Sequence, residues 1–100
     1  SDLKDCLDEI IQRTGKYPPL SHSEFETLYR LATELEEVWS YLDAEKRLGI
    51  NFFANSSIHH LLEMGVIRWQ AGLFYTVEAS IRELLLEIHA LSPAQKEDVL

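Results

Sequence analysis

The sequence predicts an all-α fold, a five-helix up-and-down bundle whose long antiparallel pair covers about residues 22–48 and 69–91. Three observations lead there. Apolar residues recur at three- and four-residue steps through most of the 100 residues, the period of a helix with one buried face. Only four Gly and three Pro occur, and all but Gly72 fall where such helices would stop. Hydrophobic residues make up 46% and charged ones 26%, the balance of a folded chain with one core. Residues 1–100 therefore read as a single domain. Ser1 stands where a Met would open a full chain, which fits a shortened chain or one domain of something longer.

Helix one is expected over about 2–14. Leu3, Cys6, Leu7, Ile10 and Ile11 line one face, and Asp2 and Asp5 suit the positive end of the helix dipole. Gly15 and Pro18-Pro19 then forbid continuation. Cys6, alone in the chain, has no partner for an internal disulfide and reads as a buried filler thiol, in keeping with a reducing cytoplasm.

Helix two opens on a capping box. Ser21 precedes Glu24 by three residues, and Leu20 with Phe25 has the placement of a hydrophobic staple. Phe25, Leu28, Tyr29, Ala32, Leu35, Val38, Trp39 and Leu42 continue one stripe, and Gly49 is suited to a left-handed stop after Leu48. Helix three is short, from Ser57 to about Met64, with Gly65 ending it. His59 and His60 are adjacent, so they point about 100° apart and do not ligate one metal from a regular helix.

Residues 66–77 admit two readings. Val66, Ile67, the aromatic residues and Gln70-Ala71-Gly72 suit a β-hairpin, and helix–glycine–hairpin is the order of a winged-helix DNA reader. Ile67, Phe74, Val77, Ile81, Leu84, Leu85 and Ile88 also continue one helical stripe. With the acidic charge disfavouring DNA, the stripe makes 66–68 a turn and 69–91 helix four. Ser92-Pro93-Ala94-Gln95 then starts helix five, with Ser as cap and Pro in the first turn.

The net charge of −8 repels phosphate backbones, so DNA is not expected as a partner. No apolar run approaches the ~20 residues that cross a bilayer, and no signal-peptide pattern opens the chain. A soluble, cytoplasmic protein is the expectation. No Gly-rich phosphate loop, paired-cysteine motif or zinc-peptidase motif occurs, so no cofactor and no metal are expected.

On the wheel of helix four, Tyr75, Glu78, Arg82, Leu86 and His89 form a second stripe beside the core-facing one. Glu78 and Arg82 have ion-pair spacing, and Leu86 among polar residues suits a face that packs on a partner. Arg82 and His89 lie two turns apart on that face. An Arg holding phosphate beside a His moving a proton is workable chemistry for RNA cleavage, which makes these two the catalytic candidates.

SIHHLLEMGVI followed after a spacer by IRELLLEIHALSPAQKEDVL resembles the C-terminal half of HEPN-superfamily domains, in a bacterial branch of unassigned function. The resemblance covers roughly residues 57–100. It implies a four- or five-helix bundle that dimerises through its Arg/His helix, and in active members a metal-independent ribonuclease, often a toxin. The six residues between Arg82 and His89 meet the family spacing. Active members carry Asn, Asp or His after the Arg, whereas Glu83 and Leu84, Leu85 and Leu86 follow here, a degenerate motif. The resemblance thus implies a non-catalytic module that dimerises or docks a protein through Tyr75, Glu78, Arg82, Leu86 and His89. One alternative is a toxin-like RNA endonuclease using Arg82 and His89. Another is a small acidic immunity protein or antitoxin that binds a basic partner, with a role in defence.

Overall fold

The computed structural model describes residues 2–14, 19–91 and 94, and of residues 2, 3, 4, 6, 10 and 14 the backbone alone. The expectations for the Cys6 thiol, for the stop at Gly15 and, Ala94 apart, for a helix over 92–100 lie outside the described residues. In chain order the elements are α1 (Asp2–Thr14), α2 (His22–Glu34), β1 (Val38–Ser40), α3 (Tyr41–Leu48), a 3₁₀ turn (Phe52–Ala54), α4 (Ser56–Glu63), β2 (Ile67–Ala71), β3 (Phe74–Val77) and α5 (Ala79–His89). Among the described residues, five helices and a three-stranded antiparallel sheet make a mixed α/β fold, which corrects the expected all-α bundle.

Local signals hold where they are strong. The Ser21 hydroxyl accepts from the Glu24 amide at 3.1 Å, and Glu24 accepts from the Ser21 amide at 2.9 Å, the reciprocal pair of a capping box. Gly49 ends α3 in the left-handed conformation, φ 68°, as its position after Leu48 suggests.

The first long helix is broken, so 22–48 is not one element. Leu35 leaves α2 extended, at φ −117° and ψ 163°, with no Gly or Pro nearby to announce it. Arg47 on α3 fastens the break: it donates to both carboxylate oxygens of Glu36 at 2.9 and 3.0 Å and to the Glu34 carbonyl. That carbonyl belongs to the last turn of α2, where acceptors lack helical partners. The Glu36 amide and then the Arg47 guanidinium hold the Glu36 carboxyl below its ordinary value. Ser40 then caps α3 by accepting from the Asp43 amide at 3.1 Å.

The second long helix, 69–91, is divided as well. Its first third is a hairpin in which Ile67 faces Val77, Arg68 faces Thr76 and Trp69 faces Tyr75. Side chains alternate across a strand, so Ile67 and Val77 go into the core while Phe74 turns outward. The helical stripe through Ile67, Phe74 and Val77 is therefore not formed. Gly72, at φ 56°, occupies the first position of a two-residue turn, where a side chain would be strained. Gln70 is the extra residue of a bulge between Trp69 and Ala71. Glu78 then caps α5 with its own carboxylate, 3.0 Å from the Ile81 amide.

In the sheet β3 lies between β1 and β2, and the run from α2 to β3 reads helix, strand, helix, helix, strand, strand. The hairpin of the competing reading of residues 66–77 is thus formed, and the helical reading of that stretch is not. The core joins the two halves of the chain. Trp39, 1% exposed, stacks on Tyr75 at 5.8 Å and meets Phe52 edge-on at 5.8 Å, while Leu28, Leu31, Ile58, Leu61, Ile81 and Leu85 fill the space between the helices. α1 packs on α5 through Leu7 and Ile11. Among the described residues no helix is long and apolar enough to cross a membrane.

Phe52→Ala removes a wholly buried ring from this junction and should cost about 3–5 kcal/mol in urea denaturation. Phe53→Ala, at a ring 54% exposed, should stay within about 1 kcal/mol. Equal losses at the two positions would contradict the orientation of the 3₁₀ turn.

Candidate interaction surface

The stripe expected on helix four does not survive as one face. Tyr75 sits on β3, half-buried against Trp39 and at 4.9 Å from the ring of Phe52. Glu78 is spent as the α5 cap and forms no ion pair with Arg82. Arg82 is half-buried, and its Nε lies out of solvent with no hydrogen-bond partner among the described residues. Leu86 is half-buried. His89 is exposed, its Nδ1 2.9 Å from the hydroxyl of Tyr29 on α2, and burial raises that phenol above its ordinary pKa. Arg82 and His89 thus share α5, but each is placed by its own surroundings and no contact joins them. Among the described residues no group of three His, Cys, Asp or Glu could hold a metal ion.

In a winged helix the second helix of the helix-turn-helix, here α4, would face nucleic acid. Asn55 caps it by accepting from the Ile58 amide at 3.0 Å. Its exposed side chains are Ser56, His59, His60 and Glu63, with no Lys or Arg among its residues. Both histidines are engaged. His59 Nε2 donates to the Phe53 carbonyl at 2.6 Å, and His60 Nδ1 donates to Glu24 at 2.7 Å. Glu24 therefore joins the α2 cap to α4. Burial pushes its carboxyl upward, but the Ser21 amide, His60 and the Ser21 hydroxyl outweigh that and hold it below its ordinary value of 4.5.

The uncommitted surface lies elsewhere. The large hydrophobic side chains exposed among the described residues are Val38, Leu42, Phe53, Trp69, Leu73 and Phe74, each 47–62% exposed. They come from β1, α3, the 3₁₀ turn and the hairpin, with none from α1, α2 or α5. Tyr41 ties several of them together: its amide donates to the Leu73 carbonyl at 3.1 Å, and its ring lies 4.8 Å from that of Phe53. Leu42 follows it on α3, and Phe74 pairs with Ser40 just before it. Val38 shares the outer face of the sheet with Phe74. The Trp69 indole is pinned over the turn by donating to the Gly72 carbonyl at 2.9 Å.

The sequence carried a signal for this patch. Val38-Trp39 and Phe74-Tyr75 are adjacent apolar pairs on strands, where neighbours face opposite ways, and Phe52-Phe53 is an adjacent pair in the 3₁₀ turn. Burying Trp39 turns Val38 outward, and burying Phe52 leaves Phe53 in solvent. A separate concavity of about 340 Å³ beside His22, Phe25, Glu26, Tyr29 and Arg30 on α2 offers less, since Arg30 is held by Glu34 at 2.8 Å and Tyr29 by His89.

No protein-family model, curated protein or solved structure matches the chain. The bundle that a HEPN resemblance implies is not its fold, because residues 67–77 form strands.

A carboxyl held below its ordinary value stabilises the fold above that value, and the contribution fades as pH falls through the lowered one. Glu24→Gln should therefore lower stability at neutral pH and flatten the loss of stability below pH 4.5. Thermal melts of both proteins across the acid range check this, and parallel acid limbs would show that Glu24 contributes nothing.

Proposed function

We propose that this protein is a non-catalytic winged-helix module that binds another protein through the sheet side of its fold. The observation that carries the reading is the confinement of the large exposed hydrophobic side chains, among the described residues, to β1, α3, the 3₁₀ turn and the hairpin. A patch of that kind on a folded domain marks a binding surface more often than chance. A nucleic-acid role is opposed by the absence of Lys and Arg from α4 and by the −8 net charge. Arg68, the cation of the hairpin, donates its Nε to the Gly65 carbonyl at 2.9 Å.

RNA cleavage by Arg82 and His89 is the weaker reading. A proton-moving His and a phosphate-binding Arg need to converge on one substrate, whereas His89 is held by Tyr29 and the Arg82 Nε is turned out of solvent. A cytoplasmic location belongs to the same proposal, supported by the single cysteine.

The test pairs two assays on the purified protein. Fluorescence anisotropy with a DNA duplex and with single-stranded RNA at low ionic strength should show no association. Incubation with RNA should leave it intact, as with Arg82→Ala. Duplex binding that His60→Ala weakens would overturn the reading in favour of nucleic-acid recognition. Cleavage that both Arg82→Ala and His89→Ala abolish would overturn it in favour of a nuclease.

A further inference from the structure

Beyond the protein-binding reading, and independent of it, we infer that the tip of the β2–β3 hairpin, residues 69–74, inserts into the headgroup layer of a phospholipid membrane. Every residue from Trp69 to Phe74 is exposed, with Trp69 at 62%, Leu73 at 47% and Phe74 at 48%. Exposed apolar side chains of that size mark a protein or a membrane contact. The register favours the membrane. Trp69 lies opposite Tyr75, and Ala71 lies opposite Phe74. Neighbours on a strand face opposite ways, so Trp69 and Phe74 leave the hairpin from its two faces, with Leu73 in the turn between the strands. A protein surface lying flat against the hairpin covers one face. A fluid layer that the tip enters covers both.

The polar groups of the turn are prepared for the loss of water. In lipid a backbone carbonyl or amide has to be satisfied within the protein. The Trp69 indole N–H donates to the Gly72 carbonyl at 2.9 Å, and the Tyr41 amide donates to the Leu73 carbonyl at 3.1 Å. Both carbonyls of the turn, and the polar atom of the exposed indole, are therefore paired before insertion. Trp is also a side chain that collects at membrane–water interfaces. Charge along the chain agrees. Residues 64–77 hold Arg68 and no Asp or Glu, in a chain with 17 acidic residues. Glu37 and Glu78 adjoin the other end of the sheet, next to Val38 and Val77. Glu78 is five residues from Leu73, about 16 Å along a strand. Asp43, exposed two residues beyond Tyr41, and the net charge of −8 set the headgroup. An anionic surface is repelled, whereas a zwitterionic one gives the exposed Arg68 a phosphate to meet without that opposition.

The experiment adds vesicles of phosphatidylcholine, and separately vesicles with phosphatidylglycerol mixed in, to the purified protein. It follows tryptophan emission and flotation of the protein with the vesicles. Trp39 is 1% exposed, so a change in emission reports Trp69. Phosphatidylcholine vesicles should float the protein and move its emission to shorter wavelength, and lipid brominated in the upper acyl chain should quench it. Phosphatidylglycerol should weaken the association at low salt. Leu73→Asp and Phe74→Asp, both at exposed positions, should each lower the partition roughly tenfold or more, with circular dichroism showing that the fold is kept. Val38→Asp, toward the other end of the sheet, should leave the partition unchanged, and a loss equal to that of the tip variants would overturn the tip as the contact. No flotation, or no change in emission, with phosphatidylcholine would overturn the insertion and leave the protein-binding reading standing. Association that requires phosphatidylglycerol and survives Leu73→Asp would overturn it in favour of adsorption by charge.

Discussion

The contact on which the rest of the molecule leans is the stacking of Trp39 on Tyr75, with Phe52 set edge-on against Trp39 and tilted against Tyr75. It joins β1 to β3 and to the 3₁₀ turn ahead of α4, so one aromatic cluster ties together three segments far apart in the chain. Aromatic side chains bury large areas at low conformational cost, which lets a three-residue strand serve as a structural seam. Without that seam, residues 35–40 have no reason to leave the helix. With it, Val38, Trp39 and Ser40 exchange helical hydrogen bonds for those of a sheet, and Arg47 meets the acceptors left over at the end of α2.

The same seam creates the exposed surface. Each time an inward ring is placed, its neighbour in the chain is turned outward. Trp39 displaces Val38, Phe52 displaces Phe53, and in the hairpin Tyr75 goes under the sheet while Phe74 goes over it. The patch is thus a geometric by-product of the core alternation. The hairpin turn is bonded back to the start of α3, Tyr41 donating to the Leu73 carbonyl. A winged helix used on nucleic acid would be expected to put cations on α4 and the hairpin. Here the exposed face of α4 is polar and histidine-bearing, and apolar side chains are exposed on the hairpin.

The candidate residues on the last helix illustrate how a wheel can mislead. Tyr75, Glu78, Arg82, Leu86 and His89 align only if residues 75–89 are one continuous helix. Once β3 ends at Val77 and α5 begins at Ala79, Tyr75 belongs to the sheet and Glu78 becomes a cap rather than a partner for Arg82. His89 is drawn to Tyr29 across the packing of α2 on α5. Nothing within one turn of His89 in the sequence indicates that contact.

What the sequence determined by itself is whatever a few consecutive residues can settle. That includes a helix over residues 2–14, the capping box at Ser21 and Glu24, the left-handed stop at Gly49, the short helix ending before Gly65, and an acidic composition. These depend on hydrogen bonds and dihedral preferences spanning three or four residues, so the local pattern is sufficient. Tertiary structure decided the two breaks, at 35–40 and at 66–77, and with them the fold class and the location of the surface. Ile67, Phe74, Val77 and Ile81 fit a helical stripe as well as a hairpin leading into a helix, because apolar spacing over so short a stretch does not separate the two periods. The choice fell to partners outside the segment. Val38 pairs with Thr76 and Trp39 with Tyr75, and strand pairing between residues so distant leaves no mark in either strand alone.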